Sequence, residues 1–311
     1  MRFIGNAYNR RSGDSGQVYR LWERFHSAEI YEDLLDEPHA NTLVDSWKRS
    51  RSLGVDPRRR VLPVLSDAER QDVLHENRLL LSNARPVFEG ARQFLSGFPG
   101  LLILADGEGN VLRLSGHPAV QERAAADRTL LEGARLSESA AGTNGVGTCL
   151  FLGQTVQVCS AEHFCEALQP WTCAASPIRD PFSDEVLGVI DLSFPSNPET
   201  EALAIADSFA ARISGEVRLQ VALERLQLIN RHSEYAARYP SDEVLAYDRL
   251  GHLIRSSHGA GGETGHGSSD ETSSPRHVHV IAGRDGGEPI GTLVVVRGRF
   301  PSRVLAPAAG F

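Results

Sequence analysis

The four cysteines are the first residues that could do chemistry, because they lie close together at positions 149, 159, 165 and 173, with His163 among them. A thiolate beside an imidazole can act as a nucleophile or as a redox centre. Structural zinc sites instead prefer cysteine pairs separated by about two to four residues, and these cysteines are spaced more widely. We therefore expect no metal ligand and no catalytic residue, because buried and inert thiols are the most frequent state of such cysteines.

A second group of side chains could bind a small molecule without transforming it. Glu162, His163, Phe164 and Cys165 follow one another, and Trp171 comes soon after them. Small-molecule pockets are mostly apolar and contain a few convergent polar groups, and a loop with these residues above a sheet would supply both. The opposing interpretation is that the polar side chains bond to the loop backbone while the aromatic rings fill the core.

Asp191 interrupts the apolar run Val-Ile-Asp-Leu and is the third feature of interest. A buried carboxylate needs a polar partner, and Asn144 or Thr172 could provide one. Asn144 is equally a candidate N-cap for a short helix. The predicted ligand-binding residues are Asn144, Glu162, His163, Phe164, Cys165, Trp171, Cys173 and Asp191, with no cofactor.

Most of the predicted ligand-binding residues lie in or next to segments with the pattern of strands. Residues 154–159 alternate between apolar and polar side chains, which predicts a strand. Residues 172–178 and 186–193 predict two more strands around a turn at Pro181, and residues 101–114 predict an earlier strand, turn and strand. The expected fold class is α+β, with an antiparallel sheet flanked by helices.

Helices are predicted on both sides of this sheet. Residues 41–53 should form one helix, and a capped helix should begin at Ser66 and continue to about Gly97, with a break or kink at Pro86. After the sheet, residues 199–233 form a long amphipathic helix whose apolar seam changes phase. Such a helix would pack first on the sheet and then on another helix, either in a parallel homodimer or within one chain.

The end of the chain predicts a second, smaller β structure. Residues 244–254, 277–282 and 289–297 have the pattern of strands. Between them, residues 256–275 are rich in Gly, Ser and His, and this composition predicts a mobile loop.

The composition narrows the classes of function. With 32 Lys and Arg against 40 Asp and Glu, the net charge is −8, which does not favour nucleic-acid binding as the main role. The most basic segment, residues 47–60, is read as a solvated surface or as a contact for a partner domain. The chain lacks a P-loop motif, an apolar run of about 18 residues and a secretion signal. Few, clustered cysteines fit a reduced, cytoplasmic setting.

Several ordered blocks of sequence resemble the GAF domain of the acetoin-catabolism regulators, which are sigma-54-dependent, Fis-type bacterial transcriptional activators. Residues 46–57 are similar to the N-terminal signature of that family. The resemblance covers roughly residues 41–248, and its main blocks are Glu138 and residues 142–148, 153–158, 161–165, 171–181 and 187–193.

This resemblance implies a sensory module that binds a small organic effector, such as a ketone, alcohol or diol, and signals through the long helix. It implies no enzyme activity, and DNA contact only through a module that is not visible in this sequence. Two alternatives stay open: a cysteine-based redox sensor or methionine-sulfoxide-reductase-like enzyme, and a ligand-free dimerisation module. The sequence does not decide between a truncated sensory half and a stand-alone protein.

The length of 311 residues allows about two domains. We expect a helical region, the GAF domain, a long signalling and dimerisation helix, and a small PAS-like β segment containing the mobile loop. Their expected limits are residues 15–97, 98–198, 199–233 and 240–300, with the loop at 256–275.

Overall fold

The computed structural model describes residues 15–27, 38–96, 99–195, 201–257, 275–283 and 288–296. The chain divides into two compact units, one ending at Val217 and the other beginning at Arg218. None of the helices within these ranges is long and apolar enough to cross a membrane.

Four helices precede the first sheet: α1 (Ser15–His26), α2 (Pro38–Ser52), α3 (Asp67–Glu76) and α4 (Arg78–Ser96). A capping box between Ser66 and Glu69 starts α3, as the sequence predicts. The prediction of a single helix from Ser66 is wrong, because α3 ends at Glu76. Its C-cap is Asn77, whose backbone N–H and side-chain amide both donate to the carbonyl of Val73.

A break or a kink is predicted at Pro86, and the helix is not broken there, because Pro86 lies inside α4 without ending it. Proline removes one backbone hydrogen bond from a helix. The helix nevertheless continues, since it buries an apolar stripe on both sides of this position that includes Leu80, Val87 and Leu95. Burial of this kind outweighs local propensity.

The first sheet contains β1 (Leu101–Asp106) and β2 (Val111–Gly116), followed by the helices α5 (Pro118–Ala126), α6 (Glu138–Ala141) and α7 (Gly145–Leu152) and then by β3 (Val156–Cys159), β4 (Thr172–Arg179) and β5 (Val186–Phe194). The strand order is β2-β1-β5-β4-β3, and every neighbouring pair is antiparallel. Two 3₁₀ turns, Ser160–Glu162 and Glu166–Leu168, lie between β3 and β4.

The two faces of this sheet carry different helices. A β-carbon placed on Gly145 of α7 would touch Cys173, Ala175 and Asp191, so α7 covers the face to which these residues point. Gly188 belongs to the opposite face, because successive strand residues alternate, and it lies against Leu80 of α4. The candidate ligand-binding residues of β4 and β5 therefore face α7.

The last helix, α8 (Ala202–Arg238), begins in the first unit and continues into the second. It starts and ends later than the predicted 199–233. Four strands follow: β6 (Glu243–Asp248), β7 (Leu253–Ser256), β8 (Pro275–Ala282) and β9 (Pro289–Val296), which form an antiparallel sheet in the order β7-β6-β9-β8. Most of the loop predicted to be mobile, residues 258–274, lies outside the described residues.

Candidate functional site

Asn144 organises the N-terminus of α7. Its side-chain oxygen accepts a hydrogen bond from the N–H of Gly147 at 3.0 Å, and its amide nitrogen donates to the carbonyls of Leu136 at 2.8 Å and Gly142 at 2.7 Å. Both N–H donors of this amide and one of the two lone pairs of its oxygen are therefore used. The geometry makes Asn144 the cap of α7 and the link between α7 and the segment before it.

Asp191 lies on the α7 side of β5 and is almost completely buried. The partners predicted for it are wrong. Ser193 donates its hydroxyl hydrogen to Oδ2 of Asp191 at 2.5 Å, while Asn144 is used as a cap, and Thr172 points away because it neighbours Cys173 on the strand.

The second carboxyl oxygen of Asp191, Oδ1, is buried and makes no hydrogen bond within the described part of the chain. A β-carbon on Gly145 would come within 2.9 Å of it and within 2.6 Å of the β-carbon of Cys173. Burial raises the pKa of Asp191 to about 7, and the hydrogen bond from Ser193 opposes that rise. This carboxyl group can therefore be either acid or carboxylate near neutral pH.

Glu162 is the last residue of the 3₁₀ turn after β3, His163 follows it directly, and both are buried. The carboxylate of Glu162 accepts a hydrogen bond from the N–H of Cys159 at 2.7 Å, yet burial raises its pKa to about 7. The ring nitrogen Nδ1 of His163 lies 3.0 Å from the carbonyl of Ser160. Because a carbonyl only accepts, Nδ1 carries the hydrogen and Nε2 is left as an acceptor.

Nε2 of His163 makes no hydrogen bond among the described residues and is inaccessible to solvent. Burial lowers the pKa of His163 to about 4, although the hydrogen bond to Ser160 acts in the opposite direction. The imidazole is therefore neutral at pH 7. Within the described ranges, His163 and Asp191 each have one buried acceptor that makes no hydrogen bond, and leaving such a group unsatisfied costs about 1–3 kcal/mol.

The aromatic residues of the predicted site pack against the N-terminal helices. The indole N–H of Trp22 in α1 donates to the carbonyl of Phe164 at 2.9 Å, and that of Trp47 in α2 donates to the carbonyl of Glu162 at 2.8 Å. The Phe164 ring meets the rings of Phe25 and His26 with centroids 6.5 and 5.0 Å apart. Trp171 is buried in the same core cluster.

A polar network that sequence reasoning missed joins α2 to the start of α7. Arg49 forms a salt bridge with Glu138 at 3.0 Å, and Glu138 also accepts hydrogen bonds from Ser46 and Thr148. Ser46 lies 2.7 Å from Thr143 as well. A signal existed, because Ser46, Arg49, Glu138, Thr143 and Thr148 all belong to the sequence blocks that carry the family resemblance. Nothing in their local pattern, however, paired them.

All four cysteines are free thiols and all are buried. Burial raises the pKa of the Cys149 and Cys173 thiols well above the usual range, and that of Cys165 to about 12. The Cys173 sulfur lies 3.2 Å from the Ser193 hydroxyl, and Cys165 donates to the carbonyl of Asp56. Within the described ranges, no three His, Cys, Asp or Glu residues are arranged to hold a metal ion.

The structure thus divides the eight predicted residues into two groups. Cys173 and Asp191 meet at the N-terminus of α7, which Asn144 caps. The other five, Glu162 to Cys165 and Trp171, belong to the connection between β3 and β4, and α1 and α2 cover part of it. Two surface clefts are lined by described residues, and neither of them includes any of the eight.

Comparison with known proteins relates this chain to one family. Residues 17–214 match the family described as MimR, N-terminal domain. The acetoin dehydrogenase operon transcriptional activator AcoR of Bacillus subtilis (strain 168) is 31% identical over 222 residues, which is 70% of this chain and 36% of the relative. The propane 2-monooxygenase operon transcriptional activator MimR of Mycolicibacterium goodii is 31% identical over 238 residues, 76% of this chain and 39% of that relative.

The chain therefore spans between a third and two fifths of the length of these relatives, and both are named as transcriptional activators rather than as enzymes. Among solved structures, the crystal structure of the E. coli DhaR(N)–DhaL complex matches with a TM-score of 0.56 at 16% identity, covering 82% of this chain and 98% of that chain. The predicted α+β GAF fold is confirmed by this likeness.

Proposed function

This chain belongs to the family of the MimR N-terminal domain, and on that premise we propose that it is the sensory region of a transcriptional activator and binds a small, uncharged organic effector. The observation that carries the proposal is Oδ1 of Asp191, a buried acceptor on the sheet face that α7 covers, to which no described residue donates a hydrogen bond. A ligand that satisfies this oxygen would recover free energy that the empty protein lacks.

The chemistry of this buried acceptor favours a ligand with a hydroxyl group. The ionised Oδ1 of Asp191 accepts hydrogen bonds, and an alcohol, diol or hydroxyketone can donate one. A simple ketone could bond to Asp191 only while that carboxyl group is protonated. The names of the relatives, which refer to an acetoin dehydrogenase operon and a propane 2-monooxygenase operon, support small oxygenated molecules of this kind.

The eight predicted residues keep separate roles in this proposal. Asp191 would contact the effector, and Cys173 would add apolar surface beside it. His163 and Phe164 would belong to the separate group in the connection between β3 and β4. Glu162, Cys165 and Trp171 would shape the connection between β3 and β4, while Asn144 would hold α7 in place.

The route of the signal follows contacts within the first unit. Ser176, next to Ala175 on β4, donates a hydrogen bond to Asp207 of α8 at 3.0 Å, and Thr155 donates to the same carboxylate at 2.9 Å. Ala175 is the register partner of Asp191. If β4 can adopt two positions and the ligand binds one of them more tightly, ligand binding would favour that position of β4 and, through these hydrogen bonds, the matching position of α8.

The proposal includes a homodimer formed through the second half of α8. Leu219, Leu223 and Leu226 are 59%, 54% and 60% exposed, and their spacing of four and three residues is that of a coiled-coil seam. On the same helix Val221 and Leu228 are fully buried, so the exposed leucines form a separate face. The flanking Gln220, Ala222, Gln227 and Ile229 carry no charge that would repel a second copy.

Other parts of the activator role lie beyond this region. Any contact with DNA belongs, in this proposal, to another part of an activator, because this chain matches little more than a third of its relatives. Function as a transcriptional activator would place the protein in the cytoplasm.

The test is a thermal-shift and calorimetric screen of the chain against small alcohols, diols, hydroxyketones and ketones. A ligand at about 100 times its dissociation constant should stabilise the protein by about 2.7 kcal/mol. Asp191→Asn should abolish the shift of a hydroxyl ligand, and the matched variant Asp184→Asn, in the exposed turn between β4 and β5, should retain it.

Two results would oppose the proposal. A ligand shift that persists in Asp191→Asn would remove the effector from the α7 face of the sheet. A panel without any saturable shift, from a protein that melts cooperatively, would favour the ligand-free dimerisation module instead.

A further inference from the structure

A second candidate binding site lies on the surface beside α1, away from Asp191. It is a cleft of about 730 Å³, a volume within the usual range of small-molecule sites, about 300–1,000 Å³. Three segments form it: α1, the loop that contains Arg58 and Arg60, and the 3₁₀ turn that begins at Glu166. The lining residues are Tyr19, Arg20, Trp22, Glu23, Arg24, His26, Ser27, Arg58, Arg60 and Glu166.

The cleft concentrates positive charge in a chain that is acidic as a whole. Arg20 and Arg24 are four residues apart on α1 and therefore project from one side of the helix. Arg58 reaches the same cleft from the loop. Arg60 is paired with Glu166 at 3.0 Å, whereas no salt bridge joins Arg20, Arg24 or Arg58 to any described residue.

The pKa of His26 is consistent with a positive potential in the cleft. Burial is the main reason why its pKa falls to about 4, and Arg51 and Arg58 lower it further, against a small opposing effect of Asp56. Three arginines without carboxylate partners around one concave surface repel each other. Glu23 and Glu166 also line the cleft, and Glu166 is paired with Arg60, so four arginines face two carboxylates there. An anion in the cleft would offset the positive charge that remains.

From this geometry we infer that the cleft binds a small organic anion with two or more carboxylate or phosphate groups. Guanidinium groups match planar carboxylates and phosphates with paired hydrogen bonds. Tyr19, which stacks on Trp22 with ring centroids 6.1 Å apart, gives the ligand an apolar wall. The site is distinct from that of the proposed effector, because the buried carboxyl group of Asp191 would repel an anion.

The inference is tested by isothermal titration calorimetry on the full chain, with citrate as the polycarboxylate probe and inorganic pyrophosphate as the phosphate probe. Potassium chloride at equal ionic strength is the blank, because non-specific attraction is screened by salt. We expect saturable binding of at least one probe, and the tighter of the two identifies carboxylate or phosphate as the preferred group.

Matched variants connect the binding to the cleft. The double variant Arg20→Gln/Arg58→Gln should weaken binding by at least about tenfold, since charge-assisted hydrogen bonds are lost. The control Arg85→Gln/Arg123→Gln removes two arginines from exposed helical ion pairs elsewhere and should bind like the parent. Absence of saturable heat above the salt blank, or equal affinity of the two double variants, would overturn the inference.

Discussion

At the scale of single residues, Asp191 is the most informative group in the molecule. A carboxyl group in a strand between Ile190 and Leu192 is costly to ionise, and among the described residues a hydrogen-bond donor reaches only one of its oxygens. Ser193 supplies that partner from two positions further along the strand, on the same face. The combination of burial and one free oxygen is why Asp191, rather than a cysteine, carries the proposed effector site.

The titration of Asp191 should appear in the stability of the protein. Its pKa is about 7 in the folded chain and near 3.9 when unfolded, so the folded state holds the proton more tightly. The stability from this group is fully present below about pH 4 and is lost as the pH rises towards 7. Each unit within that window should lower the free energy of unfolding by up to about 1.4 kcal/mol.

Urea unfolding of Asp191→Asn between pH 4.5 and 7.5 measures this contribution as a difference from the parent. The variant should gain stability relative to the parent as the pH rises. Asp184→Asn, a substitution in an exposed turn, should run parallel to the parent throughout. Parallel curves for Asp191→Asn would show that the carboxyl group is not held as a buried acid.

The thiols provide a second prediction at this scale. Only thiolates react quickly with alkylating reagents, and burial raises the pKa of Cys149, Cys165 and Cys173. Alkylation by iodoacetamide at pH 7.5 should therefore be at least about tenfold slower in the native protein than in urea. One thiol that reacts as fast in the native protein as in urea would instead revive a redox role for that cysteine.

At the scale of elements, α2 matters more than its place before the sheet suggests. It contributes Trp47, which is completely buried, and the salt bridge from Arg49 to Glu138. Both contacts reach segments that hold candidate ligand-binding residues. Helix α2 is therefore part of the structure of the site, and its position and that of the connection between β3 and β4 depend on each other.

Trp47→Phe tests this dependence. The smaller phenyl ring leaves a cavity, and the carbonyl of Glu162 loses its donor in a buried place, which by itself costs about 1–3 kcal/mol. The urea midpoint should fall accordingly, while Tyr19→Phe, a change on an exposed ring of α1, should leave it nearly unchanged. Equal midpoints for the two variants would show that α2 is not held by this bond.

At the scale of the whole molecule, the proposed homodimer rests on the exposed leucines of α8. Leu223→Glu places a charge in the centre of the proposed helical seam, and like charges would then face each other in a dimer. Sedimentation velocity should show a dimer for the parent and a monomer for this variant. Leu253→Glu, at a leucine of β7 that is equally exposed at 54%, should remain a dimer.

A monomeric parent at micromolar concentration would contradict the dimer. Dissociation of both leucine variants would assign the interface to a wider surface of the second unit, and the specific role of α8 would then be lost.

The sequence by itself determined the local structure and the family. The turn residues around Pro181 predicted the strands that contain Cys173 and Asp191, polar residues before glycines predicted a cap at Thr143 or Asn144, and the ordered sequence blocks predicted the GAF fold by their resemblance to a known family. The strands and the cap depend on neighbours in the chain, so residue types and spacing are enough to predict them, whereas the GAF fold was implied by the family resemblance.

Only the tertiary structure decided which distant groups meet. Ser46 and Arg49 pair with Glu138, about ninety residues away, Trp22 pairs with the carbonyl of Phe164, and Pro86 stays within a helix because that helix is packed on a core. Such contacts depend on the summed burial of whole elements and on side-chain geometry at the interface. Local propensity does not contain that information. For this reason neither the unbonded carboxyl oxygen of Asp191, as the described residues show it, nor the arginine cleft could be predicted from the sequence.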